Sequence, residues 1–193
     1  MTFPSEMVEA VFPRTLECGG MAVEPLTLRR AVALDAFGID AADSEGADVG
    51  KGNALRALWI LGLDARSLAS AVANPQAAAR DFAAWTEAEG SNVLSEDAAD
   101  AVRSVLRSAW RGYVPAKSGK TMSFGPTGYG WPLMFAEAFA AEYGTTLDEA
   151  LDVPMCRLFA MIACARRRNG GEDGGPDYYD RMAMPPTAGS ELR

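Results

Sequence analysis

Alanine fills 35 of the 193 positions of this chain, and isoleucine only three. That imbalance constrains the fold more than any motif does. Alanine is the best helix former, whereas β-branched residues suit a pleated surface. The chain is therefore expected to be mainly α. Leu, Ile, Val and Phe together supply only 38 residues, close to the ~20% below which chains tend to stay unfolded. Met, Trp and Tyr add bulk, and a formal net charge of -8 is modest for this length. The expectation is a compact helical domain with a slim core, spanning 1–170, since one domain takes roughly 100–200 residues.

The absence of histidine excludes a Ser-His-Asp triad, a Cys-His pair and any imidazole metal ligand. Only Cys18, Cys156 and Cys164 could offer sulfur to a metal, and three distant cysteines make no disulfide framework. Cys156 and Cys164 lie eight apart on one predicted helix, too far to bridge. They read as reduced, mostly buried thiols, which implies a reducing compartment. The start Met1–Glu6 has neither the basic residues nor the apolar run of a signal peptide. The apolar runs 57–63 and 158–165 fall far short of the ~20 residues that span a bilayer. A cytoplasmic location without membrane contact is expected. The acidic balance also argues against nucleic-acid binding, which needs a basic footprint. Arg166-Arg167-Arg168 is better explained as the last turn of a helix, where cations complement the dipole.

Along the chain, residues 8–26 predict a β-hairpin. Val11-Phe12 and Leu16 precede Gly19-Gly20, Met21-Ala22-Val23 follows, and a Gly-Gly pair supplies the positive φ of a tight turn. Thr27 caps a helix ending near Phe37-Gly38. An acidic loop over 41–52 leads to Asn53 as the next cap, with Leu55, Leu58, Trp59 and Gly62 on one face. Ala65, Leu68, Ala69 and Val72 predict the inner stripe of a third helix. Asn74-Pro75 starts a fourth, with Ala78, Phe82 and Trp85 inward. Ser95 caps a fifth, striped by Ala98, Val102, Val105, Leu106 and Ala109. Residues 112–130 read as a long loop, which at this length is usually functional. Helix resumes at Trp131-Pro132, with Trp131, Phe135, Phe139 and Tyr143 spaced by four. Gly144 ends it, and Thr146 with Glu149 forms a capping box. A last helix, from Asp152-Val153-Pro154 to Asn169-Gly170, turns Met155, Leu158, Phe159 and Ile162 inward. Residues 171–193 hold seven Gly or Pro and five acids against two arginines, the composition of a flexible, disordered tail.

Three constellations invite a chemical reading. Gly119-Lys120-Thr121 looks like the end of a phosphate loop, but the required upstream glycine is Val114 and no strand precedes it. Glu137, Glu142 and Asp148 could serve a carboxylate-based hydrolase, although Glu137 and Glu142 lie about 140° apart round a helix. Trp131, Phe135, Phe139 and Tyr143 are either a partner-binding groove, with 112–130 as its lid, or core rings that a chain poor in aliphatics needs inside.

The residues also carry a resemblance. Pro25-Leu26-Thr27-Leu28 leads into a helix ending Asp35-Ala36-Phe37-Gly38. Later, Gly130-Trp131-Pro132-Leu133 runs through Glu142-Tyr143-Gly144 and Thr146–Pro154 to Arg167-Arg168-Asn169-Gly170. This order resembles the tail assembly chaperones of tailed bacteriophages, over residues 8–38 and 130–170. Residues 112–130 and 171–193 have no counterpart. The resemblance implies a helical, non-catalytic protein without cofactor. It would bind the tape-measure protein, with the tail-tube protein as a second candidate partner, in the host cytoplasm. Trp131, Phe135, Phe139 and Tyr143 are the first residues to expect at the partner surface. The alternatives are a structural virion component, such as a head-tail or neck protein, and more remotely the carboxylate hydrolase.

Overall fold

The fold follows from its caps. It is seen in a computed structural model that describes residues 13–43, 46, 49–89, 93, 95–111 and 130–168. Strands β1 (Leu16–Cys18) and β2 (Met21–Val23) pair antiparallel, with Leu16 opposite Val23 and Cys18 opposite Met21. Gly19 and Gly20 make the turn with φ of +58° and +82°. Two successive positive φ values match the right-handed twist of the strands. Val8, Val11 and Phe12 of the expected hairpin lie outside the described residues.

Helix α1 (Leu28–Ala36) starts where Thr27 Oγ1 accepts the Arg30 N–H. Helix α2 (Lys51–Gly62) starts earlier than expected. Gly50, not Asn53, is its cap, and the Gly50 carbonyl accepts the N–H groups of Asn53 and Ala54. An extended glycine serves here because its carbonyl alone closes the first turn. Nor is α2 one-sided. Ala54, Ala57, Leu58, Trp59, Ile60 and Leu61 are all buried, while Gly62 is exposed at the end.

Helix α3 (Ala65–Ala73) is capped by the Asp64 carboxylate, which accepts from Arg66 and Ser67 N–H. Its inner face is narrower than the predicted stripe. Leu68 and Ala71 are buried, but Ala65, Ala69 and Val72 face outward. Helix α4 (Pro75–Ala88) begins with Asn74 accepting from Ala77 N–H and Pro75 in its first turn. Ala78 is buried and Phe82 and Trp85 half-buried.

Helix α5 (Ser95–Trp110) begins at Ser95 itself and buries all five residues of its predicted stripe. Helix α6 (Trp131–Tyr143) ends in Gly144 at φ +66°. Helix α7 (Leu147–Asp152) carries the Thr146–Glu149 capping box. Helix α8 (Met155–Arg168) buries Met155, Leu158, Phe159 and Ile162, as its spacing predicts.

The protein is thus mainly α, with eight helices and one small N-terminal hairpin among the described residues. Helices α2 and α5 form the central pair. The hairpin lies across them, β1 on α5 and β2 on α2. Helices α6, α7 and α8 close over α1 and α5. Two groups of rings fill what the aliphatics leave. Phe37, Trp59, Phe82 and Trp85 form one; Trp110, Trp131, Phe135 and Phe159 form the other. No helix among the described residues is long and apolar enough to cross a membrane. Residues 112–129 and 171–193, and with them Gly119-Lys120-Thr121 and the stop at Asn169-Gly170, lie outside the described residues.

Candidate functional site

The four rings named from the sequence share one face of α6, and that face is the core. Trp131, Phe135 and Phe139 are 9%, 4% and 3% exposed. Trp131 tilts against Trp110 with centroids 5.5 Å apart, and Phe135 meets Phe159 edge-on at 5.0 Å. Tyr143 is half-buried, and its hydroxyl donates to the Met161 carbonyl at 2.6 Å. As described, these rings pack towards α5 and α8, as a chain with few large aliphatics needs; the expected lid over 112–130 lies outside the described residues but for Gly130.

The acids stand apart in the same way. Glu142 pairs with Arg168 and Asp148 with Arg29, while Glu137 is exposed. Among the described residues no cluster of three Cys, Asp or Glu side chains could hold a metal ion. Cys18 and Cys156 are buried, and burial pushes both thiols up. Cys164 is exposed, contrary to its expected burial. Eight residues at 100° each place it about 80° round α8 from Cys156.

What the structure does assemble lies at the foot of the hairpin. The Met155 N–H donates to the Leu26 carbonyl at 2.9 Å, and Thr27 bridges to Pro154. These contacts draw the start of α8 against the link between β2 and α1. A cavity of about 130 Å³ remains between that link, β1 and the second half of α5. Its floor is apolar: Leu26, Val105 and Ala109 are buried, and the Cys156 thiol lies beside them. Its rim is polar. Ser104 and Ser108 stand one turn apart on α5, with Arg14 and Arg111 exposed at the edges.

Pro25 also borders a second, open groove, lined by Thr15, Glu24, Arg30, Asp152 and Arg157. Arg30 is half-buried there. Its Nη2 donates to the Leu63 carbonyl at 3.4 Å, and its Nε has no hydrogen-bond partner among the described residues. Burial lowers its pKa, and the nearby Glu24 and Asp152 charges act against that. Asp152 is engaged elsewhere too, accepting from Arg29 Nε at 2.6 Å and Arg29 Nη2 at 3.1 Å. Those bonds raise the Arg29 pKa further.

Sequence reasoning missed this cleft. Its walls come from residues 14–30, 104–111 and 152–157, and no spacing within one segment announces them. Its apolar lining with a few convergent polar groups resembles that of a ligand pocket, although such pockets usually enclose about 300–1,000 Å³. Set against known proteins, the chain matches no family model, no curated protein and no solved structure.

Proposed function

We propose that this chain is a non-catalytic assembly factor of the phage tail chaperone type. In this reading it works in the host cytoplasm. It transiently covers segments of a larger partner, the tape-measure protein first and the tail-tube protein second. One observation supports it. The two stretches that carry the resemblance, 8–38 and 130–170, touch at several described points. Leu26 bonds Met155, Thr27 bridges to Pro154, and Arg29 bonds Asp148 and Asp152. That packing is compatible with the two stretches acting as one unit. The net charge of -8 is compatible with keeping a partner complex soluble.

The test is a pull-down with the full chain as bait, co-expressed with the products of its neighbouring genes. Capture of a long, helix-rich tape-measure-like protein, with no bait in mature particles, is the expected result. Incorporation into particles would favour the head-tail or neck alternative, and no captured phage protein would overturn the reading. The α6 rings take part only if that face opens. In that case Phe135→Ala and Tyr143→Ala both weaken capture, whereas folded variants that capture normally remove the rings from the proposal.

A further inference from the structure

We infer that α3 and α4 together form a hinged flap, residues 65–88, which lifts from α1 and α2 as one unit under native conditions and uncovers the Trp59 ring. The inference goes beyond the proposed function and does not rest on it, since the motion needs no partner.

Directional bonds tie the other elements together. Arg29 joins α1 to Asp148 and Asp152 of α7, and the Tyr143 hydroxyl joins α6 to the Met161 carbonyl of α8. Arg103 and Trp110 of α5 donate to the carbonyls of Val49 and Ala41. The flap has no such tie. The side-chain bonds of Asp64, Ser67, Asn74, Trp85 and Thr86 all end on residues 64–89. Among the described residues no hydrogen bond or ion pair joins 65–88 to another helix or to the hairpin. Arg56 of α2 lies over the Phe82 ring at 5.6 Å, a contact that is weak where water reaches it.

Packing holds the flap by little more. Helix α3 lies on α1 and α4 on α2. Only Leu68, Ala71 and Ala78 of the two helices are buried, with Phe82 and Trp85 half-buried. Helix α5, by contrast, buries Ala98, Val102, Val105, Leu106 and Ala109. Elements with few buried apolar contacts open at the low end of a molecule's range of local stability. The order within the flap is its own. Asp64 and Asn74 cap its helices, and α3 packs on α4, so the two leave together. Leu63 and Asp64 run extended between α2 and α3, and a hinge there breaks no helix. Phe82 lies 5.6 Å from Trp59, centroid to centroid, and goes with the flap, while Phe37 stays at 6.4 Å. One side of a ring that is 7% exposed in the closed state then meets water. Lifting is a minor excursion of the native state, so unfolding as a whole keeps a single midpoint.

Amide hydrogen exchange of the full chain, under conditions where rates report the opening equilibrium, tests the flap. Beyond their first turns, α3 and α4 are expected to exchange about tenfold or more faster than α5, with a shallower dependence on denaturant. Val102→Ala then separates local from global opening. Val102 is fully buried on α5; it stays packed when the flap lifts and is exposed only when the whole molecule unfolds. The variant should speed α5 exchange about tenfold and leave α3 and α4 unchanged. Leu68→Ala, inside the flap, should speed α3 and α4 by the same factor. A denaturant slope shared by α3, α4 and α5 in the parent overturns the inference, and needs no variant to fold. So does a Val102→Ala protein in which all three helices speed up alike, or a Leu68→Ala protein in which α3 speeds up and α4 does not.

Discussion

Gly19 and Gly144 both sit in the left-handed region, yet they should not be equally sensitive. A Cβ on Gly144 would meet nothing within 4 Å, so Gly144→Ala carries backbone strain alone, about 1 kcal/mol. A Cβ on Gly19 would lie 2.4 Å from Val93 Cγ2. Gly19→Ala adds overpacking to strain and should cost at least about 2 kcal/mol. Chemical denaturation of the two variants checks the order. The capping carboxylates make a second residue-scale prediction. The Ser67 N–H, with its hydroxyl, holds the Asp64 carboxyl below the ordinary range, and the Thr146 N–H, with its hydroxyl, does the same for Glu149. A depressed carboxyl contributes stability above its unfolded pKa, and that contribution is lost as pH falls through the folded pKa. The parent should therefore lose melting temperature below about pH 4, where these carboxyls take up protons. Asp64→Asn combined with Glu149→Gln should flatten that part of the profile. An equally steep acid limb in the double variant would rule these caps out as its cause.

At the scale of elements, caps were the most legible feature, because a cap is a local bargain between one side chain and the next turn. Thr27, Asn74 and the Thr146–Glu149 box stand where the spacing put them. Faces were legible where a helix packs on one side only. The α5 stripe is the clear case, with all five residues buried. They were less legible where packing is unusual. Helix α2 is central, so no single stripe describes it, and α3 touches its neighbours through little more than Leu68 and Ala71. The corrected α3 face is testable. Leu68→Ala should cost about 2–4 kcal/mol, whereas Val72→Ala should stay within about 0.5 kcal/mol. Similar losses at both positions would restore the wider stripe.

For the whole molecule, one hydrophobic cluster among the described residues reaches from Cys18 to Ile162 and holds rings of both groups. The two ring groups should therefore melt together, despite lying in different parts of it. Variants keeping only Trp59 and Trp85, or only Trp110 and Trp131, should show fluorescence midpoints that coincide with far-UV circular dichroism; separate midpoints would reveal two units. The cleft belongs to this scale too. It was illegible because it exists only after the start of α8 closes on the β2–α1 link, across more than a hundred residues of chain. The three cysteines acquire a use from the same closure. Cys18 and Cys156 are sealed, with thiols pushed up by burial, while Cys164 stands open. A thiol reagent should thus modify one site per chain while the fold holds and three once it is lost. The count of labels per molecule, read by mass, then becomes a clock for opening. Early labelling of Cys156 ahead of Cys18 would show that the hairpin foot opens before the rest of the molecule.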